Sequence, residues 1–229
     1  VLSTGGAGQL FKFTTNSKGA TGDGLGAAYR AKVKIKNLPY VQFHPTALYQ
    51  QIEKETFLIT EAIRGKGAIL RNIKGESFMK KYDFRAELAP RDIVSRAISN
   101  EMLINNSKYI FLDATKIKNK LFKDSFPMIY KTCIKLNINP NTDFIPVVPA
   151  AHYFCGGIEV DEFSNSSLKN LYAIGECSHT GLHGSNRLAS NSLLESIVFS
   201  HRAAINSIKK IEELTSEQTI FNNIPEWYG

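Results

Sequence analysis

The 229-residue sequence predicts a mixed α/β (α+β) fold. Strand-like apolar pieces alternate with helix-like ones, a glycine turn leads into a helical stretch near each end, and two long segments carry apolar residues at helical spacing. With 43% hydrophobic and 21% charged residues the chain can bury a real core. It holds no apolar run of about 18 residues and no basic leader followed by an apolar stretch. Neither a membrane span nor a signal peptide is therefore expected, and the cytoplasm is the expected location. Cys133, Cys155 and Cys177 are widely spaced without a CxxC pair, which argues against a disulfide framework and a zinc site. The net charge of +7 is scattered over Lys12–Lys36, Lys66–Lys81 and Lys116–Lys135 rather than gathered in one tract, so no nucleic-acid partner is expected. The same field favours an anionic ligand.

The elements follow in order. Thr4-Gly5-Gly6-Ala7-Gly8 and Thr21-Gly22-Asp23-Gly24-Leu25-Gly26 are turns in which a backbone can approach a ligand, and the second leads into a helix-forming stretch, Ala27–Ala31. Tyr40–His44 reads as a strand. Pro90–Leu103 reads as a helix with proline in its first turn and a stripe of Ile93, Val94, Ala97, Ile98 and Met102. After the loop at Asn139-Pro140-Asn141, Ile145–Val148 and Ile158–Val160 read as strands, as does Asn170–Ile174, which ends at Gly175-Glu176. A second long helix is expected from about Ser190 to Lys210, with Leu193, Leu194, Ile197, Val198, Ala204, Ile205 and Ile208 at helical spacing. A dinucleotide-binding fold normally opens with GxGxxG between its first strand and helix. GGAGQL is not that motif, so a flavoprotein reading requires a longer chain that supplies the first βαβ unit.

Several positions carry candidate chemistry. Phe43-His44-Pro45-Thr46 ends the expected strand with a histidine whose backbone the following proline restricts; it is either an aimed ligand or a satisfied histidine at a strand end. Thr60-Glu61 suits a polar substrate or the start of a helix. Arg91 lies in a first helical turn, where the helix dipole is unfavourable to a cation, and either binds an anion or pairs with Asp92 or Glu87. His152 sits among small residues, which leave room for a ligand or for a tight turn. The densest signal runs from Gly184 to Leu194, where small, polar and cationic residues alternate before a helix whose free N–H groups around Ser192 can meet an electron-rich ligand.

TGG, TGDG, QFHPT, LITEAIRGKGA, LAPRDIVSRAI, VPAAHYFCGGIEVD, LYAIGECS and GLHGSNRLASNSLLE occur in that order. From about Ser3 to Asn206 the sequence resembles the succinate dehydrogenase, fumarate reductase and L-aspartate oxidase flavoproteins. ELAPRD, PAAHY before CGG, and the SNSLLE ending look like the L-aspartate oxidase branch. The other branches more often have LASRD, a methionine before the two glycines, and ANSLLD.

The resemblance implies part of a Rossmann-like FAD-binding domain (1–37, resumed at 154–212), an inserted α+β capping domain (38–153), and a linker (213–229) toward a helical domain. It implies FAD as cofactor, contacted by Gly5, Gly6, Asp23, Glu176, Ser192 and Leu193. A dicarboxylate would be held by His44, Thr60, Glu61, His152 and Arg187, with one further acidic residue coming from the missing amino-terminal part. Arg91 corresponds to the family's proton-transfer arginine, and electrostatic stabilisation is its competing role. The implied reaction is oxidation of L-aspartate to iminoaspartate by hydride transfer to flavin N5, with oxygen or fumarate as acceptor. It would be the first step of NAD biosynthesis, linked to quinolinate synthase. The alternatives are a succinate dehydrogenase or fumarate reductase subunit, and an inactive portion of either enzyme.

Overall fold

The computed structural model of the chain describes residues 1–50 and 56–214; almost all of the expected 213–229 linker lies outside them. Gly22, at φ +80°, takes a conformation open to glycine and costly for other residues, and launches helix α1 (Asp23–Arg30). Then follow β1 (Ile35–Lys36), β2 (Val41–Leu48), the short α2 (Ala62–Gly65), β3 (Ile69–Arg71) and α3 (Arg91–Ile104). Next come β4 (Ile110–Asp113), α4 (Asn119–Ser125), α5 (Pro127–Lys135), β5 (Ile145–Phe154), β6 (Gly157–Glu159), β7 (Ser178–His179) and α6 (Asn191–Leu214).

The strands form two sheets. An antiparallel sheet has the order β2-β5-β4-β3, and a smaller one has the order β1-β6-β7 with β6 and β7 parallel. The β2–β5 ladder sets Val41 opposite Phe154 and Leu48 opposite Val147, so it joins segments about a hundred residues apart. The buried face of α3 (Val94, Ala97, Ile98) packs with Leu48, Leu70, Ile110, Leu112, Ile145 and Val147 into the larger core, and apolar burial of this kind is the main force holding the region together. A second core gathers Leu25, Ala28, Val33, Phe154, Ile158 and Ala173 around the smaller sheet.

Several local expectations are corrected. The strand expected to end at His44 continues through Pro45 to Leu48, with its register shifted between His44 and Ala47; a bulge tolerates the N–H that proline lacks. Residues 149–153 are not a turn but the second half of the ten-residue β5. Pro90 caps α3 from outside, at ψ 152°, instead of occupying its first turn. The strand expected at 170–174 does not form. Its residues make only isolated bridges, Leu2 with Ala173 and Asn165 with Tyr172, because each neighbouring segment pairs with it at a single position and no ladder is built. The helix expected from about 190 to 210 forms as α6, and its apolar stripe is largely exposed, with Leu193 at 67% and Ile197 at 58%.

Candidate functional site

The site is assembled where β2 and β5 run side by side. His44 on β2 and His152 on β5 place their rings 5.4 Å apart, edge to face. The bulge after His44 turns the Thr46 backbone N–H onto its Nδ1 at 3.2 Å, so in the neutral ring the proton sits on Nε2. Burial, then the neighbouring His152, Arg91 and Arg64, push the His44 pKa down to about 2. Burial, then Arg91 and Arg187, push that of His152 down to about 4. His152 Nδ1 meets the Thr15 hydroxyl at 2.8 Å.

Arg91 opens α3. Its partners are neither Asp92 nor Glu87. Nε pairs with the Glu61 carboxylate at 2.5 Å, and Nη1 donates to Gln42 Oε1 at 3.0 Å. Asp92 is engaged by Arg96 at 2.6 Å, and Glu87 accepts the Leu70 N–H. Glu61, just ahead of α2, also lies 3.4 Å from Arg64 and so stands between two guanidinium groups. The Thr60 hydroxyl accepts the Ala62 N–H at 3.4 Å.

Arg187 is buried, its guanidinium 4.5 Å above the Tyr153 ring. Nη1 donates to the Leu188 carbonyl, while the buried Nε has no partner. Burial, then the charge of Arg91, lowers its pKa. A buried guanidinium with an unused donor is suited to an incoming carboxylate. Beneath it, the Tyr153 hydroxyl donates to Glu195 Oε2 at 3.1 Å. Glu195 is also held by His183 at 2.7 Å and by Thr180.

Glu176 marks the other side. Its Oε1 accepts the Phe154 N–H at 2.9 Å, and burial raises its pKa. Gly6 packs so closely beneath it that a Cβ there would come within 2.3 Å of Glu176 Oε1. Two cavities meet at Glu176 and Ser196. One, of about 370 Å³, is lined by Ser3, Gly5, Gly175 and Ser200; the other, of about 340 Å³, by His152, Tyr153, Arg187, Ser192 and Leu193.

The structure thus sets Gly5, Glu176, Ser192 and Leu193 along one trough that ends at His152 and Arg187, with Gly6 under its floor. His44 reaches this end through His152. Arg91 reaches it through Gln42, which contacts the Arg187 carbonyl, and Glu61 follows through Arg91. Asp23 stands apart: it is exposed, accepts from Thr21 at 2.8 Å, and lines neither cavity.

An FAD fits this trough. A Cβ at Gly5 would meet nothing within 4 Å, so the glycine leaves open space against which a ligand can lie. Glu176 supplies an acceptor for hydroxyl groups, and the first turn of α6 supplies outward N–H groups.

Gln42, Tyr153, Glu195 and Thr15 were not singled out from sequence. Gln42 had a signal, as a polar residue two positions from His44 in an apolar strand. Thr15 had none, because its partner lies 137 residues away.

Residues 1–193 match the family described as FAD binding domain, and the chain belongs to that family, whose cofactor is FAD. Within it, the chain is similar to L-aspartate oxidases. It is 48% identical to that of Acinetobacter baylyi over 228 residues, covering 99% of this chain and 41% of that protein. It is 47% identical to that of Pseudomonas aeruginosa over 211 residues, covering 92% and 39%. Among solved structures, an E. coli quinol fumarate reductase FrdA variant superposes with a TM-score of 0.81 at 34% identity, over 98% of this chain and 40% of that one. The chain therefore spans about two fifths of the length of these relatives.

Proposed function

We propose that this chain carries the substrate-facing part of an L-aspartate oxidase, which oxidises L-aspartate to iminoaspartate. The observation that carries this reading is the convergence of Arg91, Arg187, His44 and His152 at one end of the trough. Three guanidinium groups gather there, counting Arg64: Glu61 stands between Arg64 and Arg91, Glu87 also acts on Arg64, and Glu176 acts on Arg187. The unpartnered Nε of buried Arg187 leaves a donor for an incoming carboxylate. Residues 38–153 would then form the capping domain, with 1–37 and 154–212 belonging to the FAD domain.

When bound, FAD accepts the hydride lost from the substrate carbon. Gly5, Glu176, Ser192 and Leu193 would hold it, with Gly6 keeping Glu176 in place. Arg187 would clamp one carboxylate through the donor that is free in the chain alone. Both histidines are neutral at pH 7 by the direction of their shifts, so His44 donates from Nε2 without adding a charge. Thr60 would contribute its hydroxyl. Arg91 would first pass a proton to Glu61 and then, briefly neutral, take the proton released from the substrate, with Arg64 beyond Glu61 to rebalance the pair. Oxygen or fumarate would be the final acceptor, the cytoplasm the location, and quinolinate synthesis the use of the product.

The superposition on a fumarate reductase favours a second reading, a reductase or dehydrogenase flavoprotein. One experiment separates them: load the full-length protein, which supplies the first βαβ unit, with FAD and add L-aspartate, then succinate, without oxygen. Bleaching of the flavin by aspartate alone supports the oxidase, bleaching by succinate alone supports the second reading, and bleaching by neither sinks both. Arg91→Leu should lower aspartate turnover by about 100-fold or more with a much smaller change in fumarate affinity. Unchanged turnover would remove Arg91 from the chemistry.

A further inference from the structure

Gln42 is a neutral side chain, 3% exposed, set between the two arginines of the site. Its oxygen accepts from Arg91 Nη1 at 3.0 Å. Its nitrogen donates to the Arg187 carbonyl at 2.6 Å and to Asn186 Oδ1 at 2.7 Å. Asn186 in turn donates to Asp92, the neighbour of Arg91, at 3.1 Å. One amide and one asparagine therefore tie the first turn of α3 to the loop that carries Arg187.

We propose that Gln42 is a positioning residue that fixes Arg91 and Arg187 relative to each other, so that both ends of one dicarboxylate are met in a single geometry. This inference rests on the dicarboxylate reading above. An amide suits the task because it offers an acceptor to a cation and a donor to a carbonyl from the same planar group. Leucine could fill the volume but would leave the buried Arg187 carbonyl without its Gln42 donor and the Arg91 Nη1 without its acceptor, at a cost in free energy. Glutamate keeps the acceptor toward Arg91 and loses the donor, so the two halves of the role can be separated.

The test uses the full-length, FAD-loaded protein, with Gln42→Leu and Gln42→Glu compared with the unmodified protein. Trypsin cleavage at the Arg187–Leu188 bond, followed by mass spectrometry, reads the loop without any need for activity. Both variants should be cut about tenfold faster than the unmodified chain, as expected for a lost buried hydrogen bond, and both should bind fumarate more weakly by calorimetry. Turnover should fall in Gln42→Leu and recover in Gln42→Glu. In an Arg91→Leu background, Gln42→Leu should cause no further fall in turnover. Cleavage at the original rate in both variants, or a full additional loss of turnover in that background, would overturn the proposal. If the unmodified chain fails to bind fumarate, the dicarboxylate reading fails and takes this role with it. If it binds and Gln42→Leu binds equally well, only the role of Gln42 fails.

Discussion

Around the four-stranded sheet, Leu48, Leu70, Ile98, Leu112 and Ile145 are wholly buried, whereas along α6 Leu193, Ile197, Ile205 and Ile208 stay exposed. Both regions carry apolar residues at helical spacing, yet they are held in different ways. α3 meets a sheet face of matching shape, and its stripe disappears into the larger core. α6 is pinned by polar contacts: Glu195 to Tyr153, His183 and Thr180, the Phe199 carbonyl to Ser164 at 3.2 Å, and Asn206 to Tyr172 at 2.8 Å. An apolar period thus locates a helix, but its surroundings decide whether that face is buried.

If that contrast holds, substitutions in the two regions should differ in size. Ile98→Ala removes a buried side chain from the larger core and should cost about 2–5 kcal/mol in chemical denaturation. A loss no larger than that of a surface change would mean that this core is loosely packed. Glu195→Ala leaves the Tyr153 hydroxyl, His183 and Thr180 without their shared acceptor and should cost about 1–3 kcal/mol. Its effect should include faster amide exchange in the first turns of α6, and exchange spread evenly over the chain would argue against a local pin.

At the junction of the regions, pH should matter. The pKa values of His44 and His152 are lowered on folding from an ordinary 6.5, so the unfolded chain takes up protons that the folded one refuses. Stability should be complete above about pH 6.5 and should decline as the pH falls, with the His152 share lost by about pH 4 and the His44 share by about pH 2. Denaturation midpoints across that window should show a shallower slope for His152→Gln, and an unchanged slope would exclude His152 as a contributor. At the small end, Ile205→Ser on the exposed face of α6 should shift stability by no more than about 0.5 kcal/mol. A larger loss would show that something covers this face in solution.

The elements most legible in the sequence were those set by local pattern. The periodicity of 90–103 and 190–210 located α3 and α6 to within a few residues, and the apolar, β-branched run at 145–148 located a strand. What could not be read depends on distant partners. Pro45 marked the end of a strand by local rules, but pairing with β5 carries β2 past it through a bulge. The run at 170–174 has strand composition but no ladder to join. Arg91 could be read as a cation in an unusual place. That its partner is Glu61, 30 residues upstream, and not the adjacent Asp92 follows only from the fold.

The backbone N–H of Thr46, aimed at His44, has a consequence for how the ring handles acid. Protonating Nδ1 would set two donors against each other in a buried place, so the neutral ring keeps its hydrogen on Nε2. In the proposed site His44 would therefore be a one-way contact, offering a hydrogen to an oxygen from Nε2 while its other nitrogen stays occupied.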